Sequence, residues 1–232
     1  MDDFFLLKTQ LMKRDNKNFT AYIKELIVVV LGITIAFTLD NIAEINKESD
    51  ERELYLEALS ADLTKDIEQL NTLLDSSRKK IQYTGEMFGF IDGNAPIESY
   101  TREHVTSTYN TPFFSSNNGT YLALINSGDL KVLPDFELRQ EIVSLYNIEY
   151  QKVLNSDAFI RDLTTNRIYP FILEEIAFHP REDRIMSAEP LKSNKAINLL
   201  GSYFNIMSQR NQEYQTLIDH CERVKGLINS QL

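Results

Sequence analysis

The side chains able to do chemistry are few and scattered along the chain. His104, His179 and His220 stand far apart, and none forms HExxH or another i, i+4 pair that would place two imidazoles on one helix face for a metal. Cys221 is the single cysteine, so neither a disulfide nor a cysteine-based metal centre can be built within one chain. It directly follows His220, and adjacent residues on a helix point to different faces, so the pair has no ready nucleophile geometry. The carboxylate pairs Glu174-Glu175 and Glu182-Asp183 read most simply as solvated surface. There is no GxSxG, no phosphate-binding GxxxxGK[ST] and no GxGxxG. These residues point away from an enzyme and call for no cofactor and no metal.

One charge stands out. Glu25 lies at the start of KELIVVVLGITIAFTLDN, residues 24–41. An ionisable group beside a membrane-length apolar run either rests at the interface, screened here by Lys24, or faces a helix partner or a pore. Thr34 and Thr38 share one face, as do Gly32 and Ala36, and small or hydroxyl residues at that spacing allow close helix approach. Glu25, Gly32, Thr34, Ala36, Thr38 and Asn41 are therefore the candidate membrane or oligomer contacts.

The uncharged run covers residues 26–39, which alone fits a core helix or a signal peptide as well as a span. Adding the apolar flanks gives residues 21–43, about 34 Å of helix, enough to cross a hydrocarbon core of about 30 Å. A signal peptide fits poorly, because the leader is long and no small-x-small cleavage site follows Leu39. A buried helix also fits poorly, because residues 27–33 are apolar on every face. The expectation is a transmembrane helix over residues 21–43.

Lys and Arg set its orientation. Five, Lys8, Lys13, Arg14, Lys17 and Lys24, precede the uncharged run, and only Lys47 and Arg52 closely follow the span. The N-terminus is therefore expected in the cytoplasm, the span in the inner (cytoplasmic) membrane and residues 44–232 in the periplasm. Residues 1–20 form the cytoplasmic segment, where Phe4, Leu7, Leu11 and Met12 recur at the spacing of an amphipathic surface helix.

The net charge of −10 lacks any dense Lys/Arg cluster, which argues against a nucleic-acid partner. With 8 Gly and 6 Pro in 232 residues, long uninterrupted elements are expected. Residues 44–91 read as one helix, with Leu56, Leu59, Leu63, Ile67, Leu70 and Leu74 on one face. FIDGNAP, residues 90–96, is its stop. Ser99 or Thr101 can cap a short helix over 102–109. TPFFSSNNG, residues 111–119, is a loop whose Phe113 and Phe114 either plug the bundle end or offer a partner contact.

A short helix over 121–127 is expected to end at Gly128, with Leu130 making the hydrophobic contact of a left-handed cap. Pro134, Asp135 and Glu137 suit the start of the next helix, which carries Leu138, Ile142, Leu145 and Tyr146 and continues or restarts through Phe159, Ile160 and Leu163. Pro170 must kink or end it. Residues 178–190 read as loop and 193–228 as a last helix lined by Leu199, Tyr203, Ile206, Tyr214, Leu217, Val224 and Leu227. No period-2 strand is evident. The fold class is all-α: one transmembrane helix continuing into an antiparallel bundle of long helices.

Two stretches resemble a family of small Bacteroidota single-span membrane proteins known as a domain of unknown function. The first is the span, with Glu25, Gly32 and Asp40-Asn41. The second is a Tyr-x-Ala-Leu-x-x-Ser-Gly-x-Leu segment, here Tyr121, Ala123, Leu124, Ser127, Gly128 and Leu130, followed by the acidic helix that ends in Tyr146. The chain departs at Lys24, where the family often has Gly, and at Ile42, where it often has Trp, so the interfacial anchor is weaker. The resemblance implies topology and fold and no activity.

The functional expectation is an interaction protein, either an oligomeric scaffold or an accessory subunit of an envelope complex. Its partners would be the lipid bilayer and either further copies of itself or another membrane protein. A ligand-sensing periplasmic domain and an oligomeric channel or transporter subunit are the alternatives.

Overall fold

The computed structural model describes residues 22–133 and 135–232, and for residues 2–21 the backbone course alone. The expected amphipathic face of residues 4–12 and the place of Pro134 therefore lie outside the described residues. The chain divides into two compact units, residues 1–52 and 53–232. Helix α1 (Asp2–Ile91) supplies the first unit and opens the second.

In the first unit, the described residues 22–48 are all exposed. The large apolar side chains between Leu26 and Leu39 are 51–71% exposed. Thr34 and Thr38 donate their hydroxyls to the carbonyls four residues earlier, Val30 O at 2.8 Å and Thr34 O at 2.7 Å. A hydroxyl satisfied within its own helix is tolerated in an apolar medium.

In the second unit three long helical stretches pack together. The first is the 53–91 part of α1, which ends where Gly93 takes a left-handed φ of 75°. Next come α2 (Arg102–Thr106) and α3 (Gly119–Ser127), then a run made of α4 (Phe136–Ser144), α5 (Tyr150–Leu163) and α6 (Tyr169–Glu175). The last is α7 (Asn194–Asn229). Ser60 bonds Asn229 and Phe88 packs on Phe204, so α7 runs antiparallel to α1. Asp135 bonds Gln231 and Asp157 pairs with Arg210, so α7 is also antiparallel to the α4–α6 run. The long-helix, all-α architecture read from the sequence is the one observed.

The caps explain the boundaries. Thr101 and His104 form a capping box at α2, which is shorter than the expected 102–109. Gly128 ends α3 with φ 78°, and Leu130 packs on the core beside it. Asp135 is itself the N-cap of α4, accepting from the amides of Glu137 and Leu138. Ser193 caps α7 through the amide of Ala196.

Of the two outcomes expected at Pro170, a kink or an end, the helical run does not end there. A π-turn over Thr164–Ile168 precedes α6, which holds Pro170 near its start. A second π-turn covers Leu145–Glu149. Residues 178–190 are also not wholly loop: β1 (Ala177–Phe178) pairs antiparallel with β2 (Ile185–Ser187). A pairing this short leaves too few alternating positions to show as a period-2 pattern.

The core of the second unit is split. One apolar cluster gathers Leu56 to Leu74 of α1, Leu124 of α3, Leu138 and Ile142 of α4, Val153 of α5 and Tyr214 to Ile228 of α7. The other gathers Met87 and Phe90 of α1, Ile160 of α5, Phe171 and Ile172 of α6 and Ala196 to Met207 of α7. Between them, on the same three stretches, lie the buried polar residues Ser77, Lys80 and Thr84, then Asp157, then Arg210.

Candidate functional site: a buried polar belt and the segment it holds

The belt is built from side chains that hydrophobic periodicity alone would make apolar. Asp157 on α5 and Arg210 on α7 are 2% and 1% exposed, and Arg210 Nε donates to Asp157 Oδ1 at 2.6 Å. Tyr214, one turn beyond Arg210, donates to Asp157 Oδ2 at 2.9 Å and accepts from Arg210 Nη2. Asp66 on α1 is fully buried and accepts from the Tyr150 hydroxyl. Burying a carboxylate or guanidinium is costly unless it is paired and hydrogen-bonded, and here each has several partners.

Much of the remaining bonding capacity goes to one stretch of main chain. Residues 110–118 have no regular secondary structure. Residues 111–117 make no main-chain to main-chain hydrogen bond among the described residues. Buried side chains take their place. Lys80 Nζ donates to Ser107 O and Asn110 O at 3.2 and 2.5 Å. Arg210 Nη2 donates to Pro112 O at 2.7 Å. Asp157 Oδ2 accepts from the Phe114 amide at 2.8 Å, and Asp66 Oδ1 from the Asn117 amide at 2.9 Å. Tyr203 donates to Ser107 O and meets the Thr111 hydroxyl. Cations hold carbonyls and carboxylates hold N–H groups, which is the pairing each group's chemistry requires.

Burial shapes the titration of this region. It pulls the Lys80 ammonium below its ordinary value, because leaving water penalises the charged form. It pushes the phenols of Tyr146, Tyr150 and Tyr214 up, and raises Tyr203 and Cys221 each to about 12. A thiol so placed is a poor nucleophile.

The residues singled out by sequence fall in different places. Cys221 is buried beside the Tyr150 hydroxyl, while His220 lies on another side of α7, 2.7 Å from Glu141 Oε2. His104 Nδ1 accepts from the Thr101 amide, so its Nε2 carries the proton toward Glu86. His179 Nδ1 accepts from the Glu182 amide. Glu182 pairs with Arg184, and Asp183 accepts from the Arg102 amide, so these two acids are fixed by local partners. No group of three or more His, Cys, Asp or Glu able to hold a metal occurs among the described residues.

Phe113 and Phe114 need a correction as an exposed partner contact. Phe114 is 4% exposed and packs edge-on against Tyr150. Phe113 is half-buried under the Arg161 guanidinium, 4.2 Å from the ring centroid. The two rings plug the fold.

Tyr121 and Tyr146 meet in space: their rings stack with centroids 4.3 Å apart and planes 3° from parallel, in the same apolar cluster as buried Leu124 and part-buried Leu130. Glu25, Gly32, Ala36 and Asn41 remain exposed on α1 with Thr34 and Thr38. Asp66, whose place in the sequence reads as a solvent-facing position of the long helix, is buried instead, and nothing in the sequence reading singled out Lys80, Asp157 or Arg210. Asp157 and Arg210 do interrupt apolar faces of α5 and α7, and that interruption was the available signal.

Fold and belt together define a long-helix, all-α protein whose divided core is bridged by buried charges, with a helix at its N-terminal end that is long and apolar enough to cross a membrane. The chain belongs to the family of unknown function DUF6090, whose model matches residues 25–168. That range includes Asp66, Lys80, Asp157 and the segment they hold, whereas Arg210 lies beyond it. No curated protein and no solved structure matches the chain.

Proposed function

We propose that this protein is a membrane-anchored helical interaction protein that serves as an oligomeric scaffold or as an accessory subunit of an envelope complex. Residues 21–43 are its span, the N-terminus is cytoplasmic and residues 44–232 are periplasmic. The observation that carries this reading is the apolar surface of α1. Ten large apolar side chains between Leu26 and Leu39 are more than half exposed. In water this surface is unfavourable. In a bilayer the same ten side chains favour insertion by roughly 3–6 kcal/mol in total. Lys24 and Glu25 then sit near one interface, and Asp40 and Asn41 near the other. Lys and Arg content supports the orientation, with five such residues before the uncharged run that starts at Leu26 and few just after the span.

The test has two parts. Membranes from cells making the full-length chain are washed with alkaline carbonate, and spheroplasts are treated with protease. Retention in the membrane and digestion of residues 44–232 from the outside are expected. Release by carbonate removes the anchor, and protection in intact spheroplasts reverses the orientation. Native mass spectrometry of the detergent-extracted protein then distinguishes a homo-oligomeric scaffold from a subunit bound to another membrane protein.

A further inference from the structure

Main-chain accounting for residues 107–118 leads to a conformational device. Buried N–H and C=O groups must find partners, and a segment outside helix or sheet normally finds them in its own turns or in water. Here they find Lys80 and Asp66 of α1, Asp157 of α5 and Arg210 and Tyr203 of α7. The segment is thus fastened to all three long stretches, by Lys80, Asp157 and Arg210 where the two apolar clusters part and by Asp66 within the first cluster. Its own apolar contribution is confined to two rings, buried Phe114 and half-buried Phe113, while Pro112, Ser115 and Asn118 are exposed.

The helices do not depend on the segment in return. Without it, Asp157 keeps Arg210 and Tyr214, and Asp66 keeps Tyr150. Lys80 is different: among the described residues both of its hydrogen bonds go to the 107–118 segment, and no carboxylate forms an ion pair with it. If the segment lifts, Lys80 gains water and α1, α5 and α7 lose none of their own backbone bonds. Opening therefore costs much less than unfolding the bundle, which is the condition for a locally cooperative unit.

We propose that residues 110–118 are a releasable strap that opens and closes as one unit, independently of the long helices, with Asp66, Lys80, Asp157 and Arg210 as the catch that holds it shut. Lys80 acts as the release side of the catch, because it has the most to regain from solvent. Open, the strap uncovers the Phe114 pocket beside Tyr150 together with two cations and two carboxylates placed to bind an extended main chain.

Hydrogen–deuterium exchange read by mass spectrometry, on the full-length protein in detergent micelles, tests this. In the wild type the peptides covering 110–118 are expected to exchange at least tenfold faster than those of α5 and α7 that flank Asp157 and Arg210. Lys80→Met removes the hydrogen bond to Asn110 O of the strap and the one to Ser107 O just before it, and is expected to speed strap exchange by a further factor of about ten, leaving α7 unchanged. Asn117→Ala acts from the strap side by removing the side-chain Nδ2 hydrogen bond to Asp66 Oδ1, leaving the main-chain one in place. It carries the same expectation if the Lys80 variant does not fold. The proposal is overturned if strap and flanking helices exchange at one common rate in the wild type. It is equally overturned if both variants accelerate strap and helices together.

Discussion

Arg210 and Asp157 meet at 2.6 Å across the α5–α7 interface, both almost wholly buried, in the zone that separates the two apolar clusters. An ion pair in that position aligns two antiparallel helices more than it adds stability, because desolvation cancels much of the attraction. Arg210→Met is expected to cost about 3–5 kcal/mol, since it leaves the Asp157 carboxylate buried with fewer donors. Pairing it with Asp157→Leu is expected to recover a large part of that loss. Denaturant melts of the two single variants and the double variant check this. Additive losses would show that the pair is not coupled.

Raising the pH should weaken the fold. The phenols of Tyr146, Tyr150, Tyr203 and Tyr214 and the Cys221 thiol all hold their protons longer when folded, chiefly because of burial. Unfolded, they release them near 10 for tyrosine and 9 for cysteine. Their contribution is complete below about pH 9 and is lost as pH rises toward the folded values. Lys80 opposes this, because its lowered value makes the unfolded chain the better proton binder just below 10.5. Tyr109 and Lys79 are also raised and act with the five, so the net slope is downward. Each buried tyrosine removes at most about 1.4 kcal/mol per pH unit above 10. Melting temperature followed from pH 8 to pH 11 is expected to fall, and less steeply for Tyr203→Phe.

The adjacent phenylalanines should separate clearly. Phe114→Ala opens a cavity against Tyr150 and is expected to cost about 3–5 kcal/mol. Phe113→Ala removes a half-buried ring and its contact with Arg161, for about 1–2 kcal/mol. Equal effects in thermal melts would contradict the burial difference between them.

At Gly128 the backbone is left-handed, with φ 78°. Gly128→Ala is expected to destabilise by about 1–2 kcal/mol, although a methyl there meets no neighbour within 4 Å. A neutral result in the melt would mean that the α3 C-terminus relaxes to another cap.

In the span, Val29→Arg should oppose insertion by about 2.5–3.5 kcal/mol and reduce the membrane-bound fraction. Glu25→Gln, by contrast, is expected to leave membrane retention, oligomeric state and co-purifying partners unchanged. A loss of assembly in that variant, seen by native mass spectrometry, would favour a pore or helix-contact role for Glu25.

What the sequence by itself determined is the part governed by local spacing. Leucines three and four apart from Leu56 to Leu74 specify one long helix with one buried face, because 3.6 residues per turn brings them into line. Asp135, Gly128 and Ser193 mark helix ends, because their side chains or φ values satisfy the terminal groups without help from elsewhere. The apolar run at residues 26–39 is equally local. Only the tertiary structure decided the belt. Asp66, Lys80, Asp157 and Arg210 are spread over 144 positions of sequence, and single charges on helices ordinarily read as solvent-facing. Whether such a charge is buried depends on which main-chain groups lie opposite it. That follows from how α1, α5 and α7 pack around residues 107–118, and no periodicity within any one of them encodes it.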